Sequence, residues 1–269
     1  MKIYIPTFRR VDNQKTFNNL PDKYKEKVIM VVQEQERDEY KYDCEYLVVG
    51  NNIGIAKTRE IIYRHAGKSR FGMLDDDTKF FRRNMKYYTK EKSNMDKSKR
   101  LMLNEDWDYW FSEVNNLFDN LDIMHIGHRE LALPPMGVRY YYNKVIAGVH
   151  WLDGNKLMKF IDDVDWNYVK VGEDSLLNLE CSMRGYKNVT SDEIHIDAQE
   201  SVFEKGGCAE FRDSKVDEEE HIKLTRKYPF VIMTNKYKEK KHIGRLRIFK
   251  IDIKKAYKSS KMNTLEQFL

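Results

Sequence analysis

The sequence predicts one α/β domain built on a mixed, mostly parallel sheet flanked by helices. Short apolar runs of strand length alternate along the chain with helical or polar segments. Fully apolar strands are typical of parallel sheets that are covered on both faces. With 269 residues, of which 41% are hydrophobic and 13% aromatic, the chain can bury a core of that kind.

The first half of the chain supplies four of the predicted strands. "KIYIPTF" predicts a short first strand, and the apolar runs "KVIMVVQ" (27–33) and "EYLVVG" (45–50) predict the second and third. "NNIGIAKTREIIYRHAGK" then predicts a helix, with an asparagine capping signal at its start and Gly67 at its end. "RFGML" predicts the fourth strand, which leads directly into three aspartates.

The second half predicts two strong helices and further strands. "NEDWDYWFSEVNNLFDNL" reads as an amphipathic helix, and "GEDSLLNLECSMRGYK" as a second helix that stops at Gly185. "IMHIG" predicts a strand, "RYYYNKVIAGVHWLD" a hairpin or a long strand, and the Gly206–Gly207 pair a mobile flap. The core-facing stripe of the first of these helices comprises Trp107, Phe111, Val114, Phe118 and Leu121.

Composition narrows the class of protein. No apolar stretch has the length of a membrane span and no signal-peptide pattern opens the chain, so we expect a cytoplasmic protein without a membrane element. The three cysteines are scattered, which favours reduced thiols over a zinc knuckle or a disulfide framework. We expect one domain over residues 1–235, made of a nucleotide-binding half (1–130) and an acceptor half (131–235), followed by a basic C-terminal segment (236–269).

The charge of the chain is concentrated at its end. The net charge is +5, and residues 236–261 contain eleven Lys or Arg against two acids. Such a segment can contact a polyanion or can form an ordinary solvated surface, and taken alone the pattern slightly favours the second.

The three consecutive aspartates raise the question of what offsets their repulsion. They come at the predicted carboxyl end of a strand, where ligands collect in open α/β sheets. Either they face bulk water in a turn, or they hold a cation. Asp75 and Asp77 form a D-x-D pair, which lets two carboxylates reach one hard cation that bridges diphosphate oxygens.

Arg59 is predicted to point inward from the helix before the aspartates. It shares one helical stripe with Ile55, Ile62 and Ala66. A buried guanidinium needs an anionic partner. Both a structural ion pair with the aspartates and a contact with a bound phosphate remain open, and the two are compatible.

Four motifs together carry a resemblance to a known family. "IPTFRR" (5–10), "VVGNNIGIAKTRE" (48–60), "FGMLDDD" (71–77) and "VGEDSLLNLECSMRGYK" (171–187) occur in the order seen in glycosyltransferases of the A-type (GT-A) fold. The chain most resembles the phage TET-associated glycosyltransferases, which add sugars to hydroxymethylated pyrimidines in DNA. The resemblance implies a metal-dependent, inverting transferase that uses a nucleoside-diphosphate sugar, with a UDP-sugar expected, in the host cytoplasm if phage-encoded.

The resemblance also assigns roles to residues. Asp174 would be the catalytic base with Glu173 beside it, and a carboxylate at a helix start is stabilised in its ionised form. Mn²⁺ or Mg²⁺ would be held by Asp75, Asp77 and His195. The residues expected to contact the nucleotide sugar are Pro6, Thr7, Arg9, Asn52, Arg59, Asp75 and Asp76.

Several alternatives stay open. Glu173 and Asp174 are also common helix-capping residues, and His195 between two isoleucines is also typical of a structural histidine. Modified double-stranded DNA is the preferred acceptor, with a flipped base received by the flap and by Tyr140–Tyr142. A polysaccharide or protein acceptor, a metal-dependent nuclease, and a non-catalytic DNA-binding protein on a degenerate transferase fold are the competing hypotheses.

Overall fold

The computed structural model describes residues 1–83, 99–133, 138–198, 206–207, 212–240 and 244–266. Within these residues the chain forms a ten-stranded sheet, a separate two-stranded sheet and flanking helices. The strands of the large sheet are β1 (Lys2–Pro6), β2 (Val28–Gln33), β3 (Glu45–Val49), β4 (Arg70–Leu74), β5 (Thr78–Arg83), β6 (Lys99–Leu101), β7 (Ile123–Glu130), β8 (Tyr140–Tyr142), β9 (Val149–Asp153) and β10 (Lys187–Ala198). The helices are α1 (Lys15–Asn19), α2 (Asp22–Lys25), α3 (Gly54–Ala66), α4 (Asn104–Asn120), α5 (Gly154–Leu157), α6 (Glu173–Met183), α7 (Ser214–Lys227) and α8 (Ile253–Glu266), with 3₁₀ turns at Glu34–Glu39 and Ile161–Asp163.

The large sheet has the order β3-β2-β1-β4-β9-β7-β10-β5-β6, and β8 pairs with β10. β1, β2, β3 and β4 pair in parallel, as do β7 and β10. β9, β5 and β8 run against their neighbours. Most strands therefore share one direction, and the predicted mixed, mostly parallel α/β fold is confirmed.

The sheet is covered on both faces. Side chains alternate across β1, so that Tyr4 belongs to one apolar cluster and Ile3 and Ile5 to the other. α3, α6, α7 and α8 contribute to the first cluster, and α1, α2 and α4 to the second. This arrangement explains why the strands read as continuous apolar runs.

The predicted helices form where the sequence placed them. Four of the five stripe residues of α4 are buried, and Leu121 at its end is partly buried. α3 stops at Gly67, whose φ is +56°, and Gly185 follows α6 with a φ of +80°. The asparagine cap of α3 is absent, because Ile53 occupies the capping position and makes no side-chain cap.

The hairpin or long strand expected over residues 139–153 is wrong. β8 pairs with β10, whereas β9 inserts between β4 and β7 with all five of its residues buried. Two left-handed residues, Asn143 (φ +54°) and Gly148 (φ +72°), break the extended backbone between them. The intervening loop instead forms a wall beside the end of β4.

The C-terminal part forms a hairpin of β11 (Val231–Lys240) and β12 (Gly244–Ile251), followed by α8. The boundary drawn at 235/236 falls inside β11. Ala256 of α8 belongs to the same buried cluster as Leu177 of α6, so this segment packs on the main body. None of the described helices is long and apolar enough to cross a bilayer.

Candidate active site

A cleft of about 340 Å³ lies beyond the carboxyl ends of β1 and β4. Its walls come from the residues after β1, the first turns of α3 and α6, and the loop before β9. Among its lining residues are Pro6, Thr7, Arg10, Arg59, Asp75, Asp76, Asp77, Glu173, Asp174, Arg212 and His221. The strand-end position predicted for the acidic triplet is therefore a concave site.

The triplet is divided between two arginines. Asp76 and Asp77 are buried, and Nη1 of Arg10 lies 2.5 Å from Asp76 Oδ1 and 2.9 Å from Asp77 Oδ2. Thr7 Oγ1 also donates to Asp76 Oδ2, at 2.6 Å. Asp75 is the open member, with 32% of its side chain exposed and a 3.0 Å ion pair to Arg59 Nη2. Asp76 and Asp77 are therefore held in a buried ion pair, whereas the carboxylate of Asp75 is open to the cleft.

The balance of charge in the cleft leaves the carboxylates under-neutralised. Burial raises the pKa of Asp75 to about 7; Arg59 opposes the rise, and Asp77 is the largest of the carboxylates that add to it. Burial likewise raises the pKa of Asp76 to about 6, with Arg10 opposing it. A cation bound beside Asp75 would relieve this repulsion.

Arg59 lies at the centre of the site. Its side chain is 4% exposed, and its guanidinium contacts Asp75, Glu173 at 3.4 Å and Asp174. The inward orientation predicted from the α3 stripe is confirmed, and its anionic partners are carboxylates from two different elements. Arg59 therefore joins the strand end that carries the triplet to the helix start that carries Glu173 and Asp174.

Asp174 is held at the first turn of α6 by several donors. Besides Arg59, the amide of Gly148 donates to its Oδ2 at 3.2 Å, and His150 Nε2 lies 2.8 Å from its Oδ1. Gly172, with a φ of +87°, turns the chain into the helix. One-fifth of the Asp174 side chain remains exposed, so the carboxylate can reach a molecule in the cleft.

Three of the predicted site residues are not brought into the cleft. Arg9 has a left-handed backbone conformation (φ +52°), and it is exposed beside a separate recess. Asn52 donates its amide to Gln33 Oε1 at 2.6 Å, and it is Gln33 that lines the cleft. His195 is fully buried on β10, with Nε2 2.9 Å from the Asp192 carbonyl and Nδ1 3.3 Å from that of Glu130.

The predicted acceptor platform is also elsewhere. Tyr140 Oη donates to Glu113 at 2.6 Å, Tyr141 is buried, and Tyr142 is exposed; none of the three lines the cleft. The predicted flap, "SVFEKGGCAEF" (201–211), lies outside the described residues except for Gly206 and Gly207. The amide of Gly207 donates to the Phe8 carbonyl at 2.8 Å, which fixes this pair against the chain leaving β1.

Sequence reasoning missed Arg10, His150 and His221. Arg10 follows Arg9 in the motif "IPTFRR", and no sequence pattern indicated that the second arginine would face the cleft. His221 lies on α7, where its Nδ1 donates to the Asp217 carbonyl at 2.7 Å and its ring stacks on Phe249 at 4.5 Å. No sequence pattern singled it out, and the fold brings it to the cleft.

The donor atoms suit a hard divalent cation held jointly with a ligand. Within the described residues no three His, Cys, Asp or Glu side chains are grouped to hold a metal alone. Mg²⁺ is commonly bound by one or two carboxylates together with water and substrate phosphates. The carboxylate of Asp75, which is open to the cleft, fits that pattern, and Asp77 lies beside it but is paired with Arg10.

The comparisons with known proteins identify the family of the chain. The family model of the TET-Associated Glycosyltransferase matches residues 1–207. The chain belongs to that family and is a glycosyltransferase. The matched region includes the acidic triplet, Arg59 and Asp174 and ends before His221 and the C-terminal hairpin. No curated protein matches the chain.

Among solved structures, 39 chains match. One is a putative glucose-1-phosphate thymidylyltransferase from Bacillus anthracis in complex with a sucrose. It is 10% identical, with 67% of this chain and 83% of that chain covered and a TM-score of 0.36. Another is a mycobacterial protein, 9% identical, with 94% and 87% covered and a TM-score of 0.47.

Proposed function

We propose that the protein is a metal-dependent transferase that moves a sugar from a nucleoside-diphosphate sugar, with a UDP-sugar expected, to a hydroxyl group with inversion. One observation carries the proposal. The open carboxylate Asp75 and the helix-start carboxylate Asp174 face the same cleft and are joined by one buried arginine, Arg59. Asp75 is suited to binding a cation, and Asp174 is suited to accepting the proton of the acceptor hydroxyl.

The donor would occupy the β1–β4 side of the cleft. Pro6, Thr7 and Gln33 line that side beside the open carboxylate. A divalent cation bound by Asp75, and by Asp77 in exchange for part of its pairing with Arg10, would supply positive charge to the diphosphate leaving group. Arg212 and His221 line the same cleft and offer a guanidinium and a ring nitrogen to the same anion.

Asp174 would act as the general base. A hydroxyl is a weak nucleophile until its proton is accepted during attack, and such assistance is typically worth about 10²–10⁴ in rate. Arg59 and the Gly148 amide hold the carboxylate in place and favour its ionised form. A displacement from the face opposite the leaving group inverts the sugar linkage.

The proposed acceptor is a hydroxymethylated pyrimidine in double-stranded DNA. Support comes from the C-terminal hairpin, β11 and β12, which exposes basic residues around Tyr237. The guanidinium carbon of Arg245 lies 4.7 Å and that of Arg247 5.5 Å from the centre of the Tyr237 ring. On β12, Phe249 stacks on His221, so the hairpin borders the cleft. Cations and aromatic rings together are typical of nucleic-acid surfaces.

Mass spectrometry of nucleosides tests the proposal. The protein is incubated with Mn²⁺, a panel of nucleotide sugars and DNA containing hydroxymethylated pyrimidines, with unmodified DNA as the control. We expect a mass gain of one sugar on the modified base only, and Asp174→Asn should lower the rate by about 10²–10⁴ while the melting temperature changes little. If no sugar donor produces a mass gain, the proposal that DNA is the acceptor is wrong.

The same assay separates the other hypotheses. Donor hydrolysis without transfer to DNA points to a polysaccharide or protein acceptor, and salt-independent binding of the acceptor would agree with a non-polymer. DNA binding with no donor hydrolysis would favour a non-catalytic protein. Nicking of a plasmid would indicate a nuclease.

A further inference from the structure

Behind Asp174 lies a buried pair of histidines that the mechanism above does not use. His150 on β9 and His125 on β7 are both fully buried. His150 Nε2 is 2.8 Å from Asp174 Oδ1, and His150 Nδ1 is 2.9 Å from His125 Nε2. The two rings and the carboxylate therefore form one continuous hydrogen-bonded chain that runs from the cleft into the sheet.

The shorter contacts indicate which nitrogens carry protons. His150 Nε2 lies 2.8 Å from Asp174 Oδ1 and 3.3 Å from Arg59 Nη1. An ionised Asp174 only accepts, so the shorter contact favours a proton on His150 Nε2, and Arg59 then donates to Asp174 itself. The Nδ1 atom of a neutral His150 is then an acceptor, and His125 Nε2 must donate to that atom. The opposite arrangement would aim a lone pair of His150 at the carboxylate and would bury an N–H of His125 at Nδ1, which has no hydrogen-bond partner among the described residues.

Burial favours the neutral form of both rings. Burial lowers the pKa of His125 to about 3, and the charge of Arg59 adds to the effect. Burial also holds the pKa of His150 well below its ordinary value, with Arg59 and His125 acting in the same direction. The two histidines therefore deliver one oriented N–H group, that of His150, to Asp174 rather than a second positive charge.

We propose that His150 and His125, here called the histidine relay, position Asp174 so that one defined oxygen acts as the base. Oδ1 is occupied by His150 and Arg59. Oδ2 accepts one hydrogen bond, from the Gly148 amide at 3.2 Å, and keeps a lone pair for the acceptor hydroxyl. This role rests on the proposed function, and both histidines are positioning residues that act through Asp174.

The relay also explains why His125 is needed. Without its N–H, the Nδ1 atom of His150 would be a buried acceptor with no donor, and the ring could turn over to present Nδ1 to Asp174 instead. Because neither histidine has an exposed surface, water cannot replace the missing donor. His125 therefore orients His150, and His150 orients the carboxylate.

Nitrogen-15 NMR of the histidine-labelled protein tests the relay without any activity measurement. We expect His125 and His150 to be neutral and protonated on Nε2 between about pH 6 and 8. His128 is an internal reference with the opposite tautomer, because the Trp151 indole donates to its Nε2 at 2.9 Å. Protonation of His150 on Nδ1, or on both nitrogens, would overturn the relay.

Kinetics of four variants then test the positioning role. H150F removes the N–H that donates to Asp174, and H125F removes the group that orients this N–H. In both variants we expect kcat to fall about ten- to a hundredfold, which is the effect of losing a hydrogen bond to a charged group. The KM for the sugar donor should stay unchanged. H150Q keeps an N–H near the Nε2 position and should restore most of kcat. H65Q, at an exposed site on α3, is the matched control and should keep the wild-type rate.

The outcomes separate the two proposals. If H150F and H125F fold and turn over at the wild-type rate, or if H150Q is as slow as H150F, the positioning role is wrong. If the variants do not fold, the histidine tautomers measured by NMR in the native protein decide whether the relay exists. A wild-type chain that transfers no sugar contradicts the proposed function, while the NMR result still stands for or against the relay.

Discussion

At the scale of single residues, two arginines determine which carboxylates are available. Arg10 neutralises Asp76 and Asp77, and Arg59 is shared by three carboxylates on two elements. Asp75 remains open to the cleft, and its ion-pair partner Arg59 is shared with two other carboxylates. A carboxylate of this kind binds protons and cations competitively.

Binding of a cation should therefore depend on pH. The pKa of Asp75 is raised to about 7, so the proton competes with metal below that value and is lost above it. We expect Mn²⁺ to bind about tenfold more tightly at pH 8 than at pH 6. Calorimetry of the protein with Mn²⁺ alone measures this difference, and Asp75→Asn is the control that should remove most of it. Equal binding at both pH values would contradict the raised pKa.

Sequence patterns predicted the residues whose signal is local. Asp75 follows an apolar strand, Arg59 falls on a helical stripe, and Asp174 opens a helix, so each could be placed from its neighbours in the chain. His150 and His221 acquire their roles from partners far away in sequence, such as His125 and Phe249. Without the sheet order, no spacing indicates those contacts.

A similar reason explains the choice between Arg9 and Arg10. The left-handed backbone of Arg9 turns one arginine into solvent and the next into the cleft. A run of two arginines contains no signal for that turn. The structure brings Pro6, Thr7 and Arg10 of this motif to the cleft and leaves Arg9 outside it.

At the scale of elements, the start of α6 depends on one glycine. Gly172 has a φ of +87°, and a Cβ there would meet only Leu224 and His221, at 3.8 and 4.0 Å. The position is therefore open in space but strained for any other residue.

Gly172→Ala should lower the free energy of unfolding by about 1–2 kcal/mol, because an L-residue must adopt a left-handed conformation. Urea denaturation measures the change. Gly50→Ala is the matched control, since Gly50 is not in that region and its added Cβ would meet only the Ile53 side chain, at 3.2 Å. A Gly172→Ala protein as stable as the wild type would show that the helix start is not held in this conformation.

The hairpin of β11 and β12 is the element on which the proposal of a DNA acceptor depends. Arg245 and Tyr237 are exposed, and the hairpin lies outside the region matched by the family model. Its lysines and arginines made a basic segment visible in the sequence, but the pairing of Tyr237 with Arg247 was not visible.

Arg245→Ala should weaken DNA binding and reduce the slope of log K against log salt by about 1, as expected for one lost phosphate contact. Fluorescence anisotropy at several salt concentrations measures both. Lys2→Ala is the control, because Lys2 lies at the opposite, amino end of β1 and pairs with Glu45. An unchanged slope in Arg245→Ala would remove the hairpin from the DNA surface.

At the scale of the whole molecule, the sheet joins the two sides of the cleft. β1, β2, β3 and β4 provide the side where the donor is proposed to bind, and β9 and β7 bring His150 and His125 behind Asp174. The α/β class was predictable because buried strands need apolar residues on both faces. The order of the strands was not, since β8 and β9 pair with strands distant in sequence.

The most direct test of the account is calorimetric titration of the protein with a nucleoside diphosphate, with and without Mn²⁺. We predict that the nucleotide binds appreciably only with Mn²⁺, and that Asp75→Asn weakens this binding about tenfold or more, because a charged contact is lost. Asp75→Asn should still fold, since a carboxyl with a pKa of about 7 is partly neutral already. Equal nucleotide binding with and without Mn²⁺ in both proteins would contradict the account.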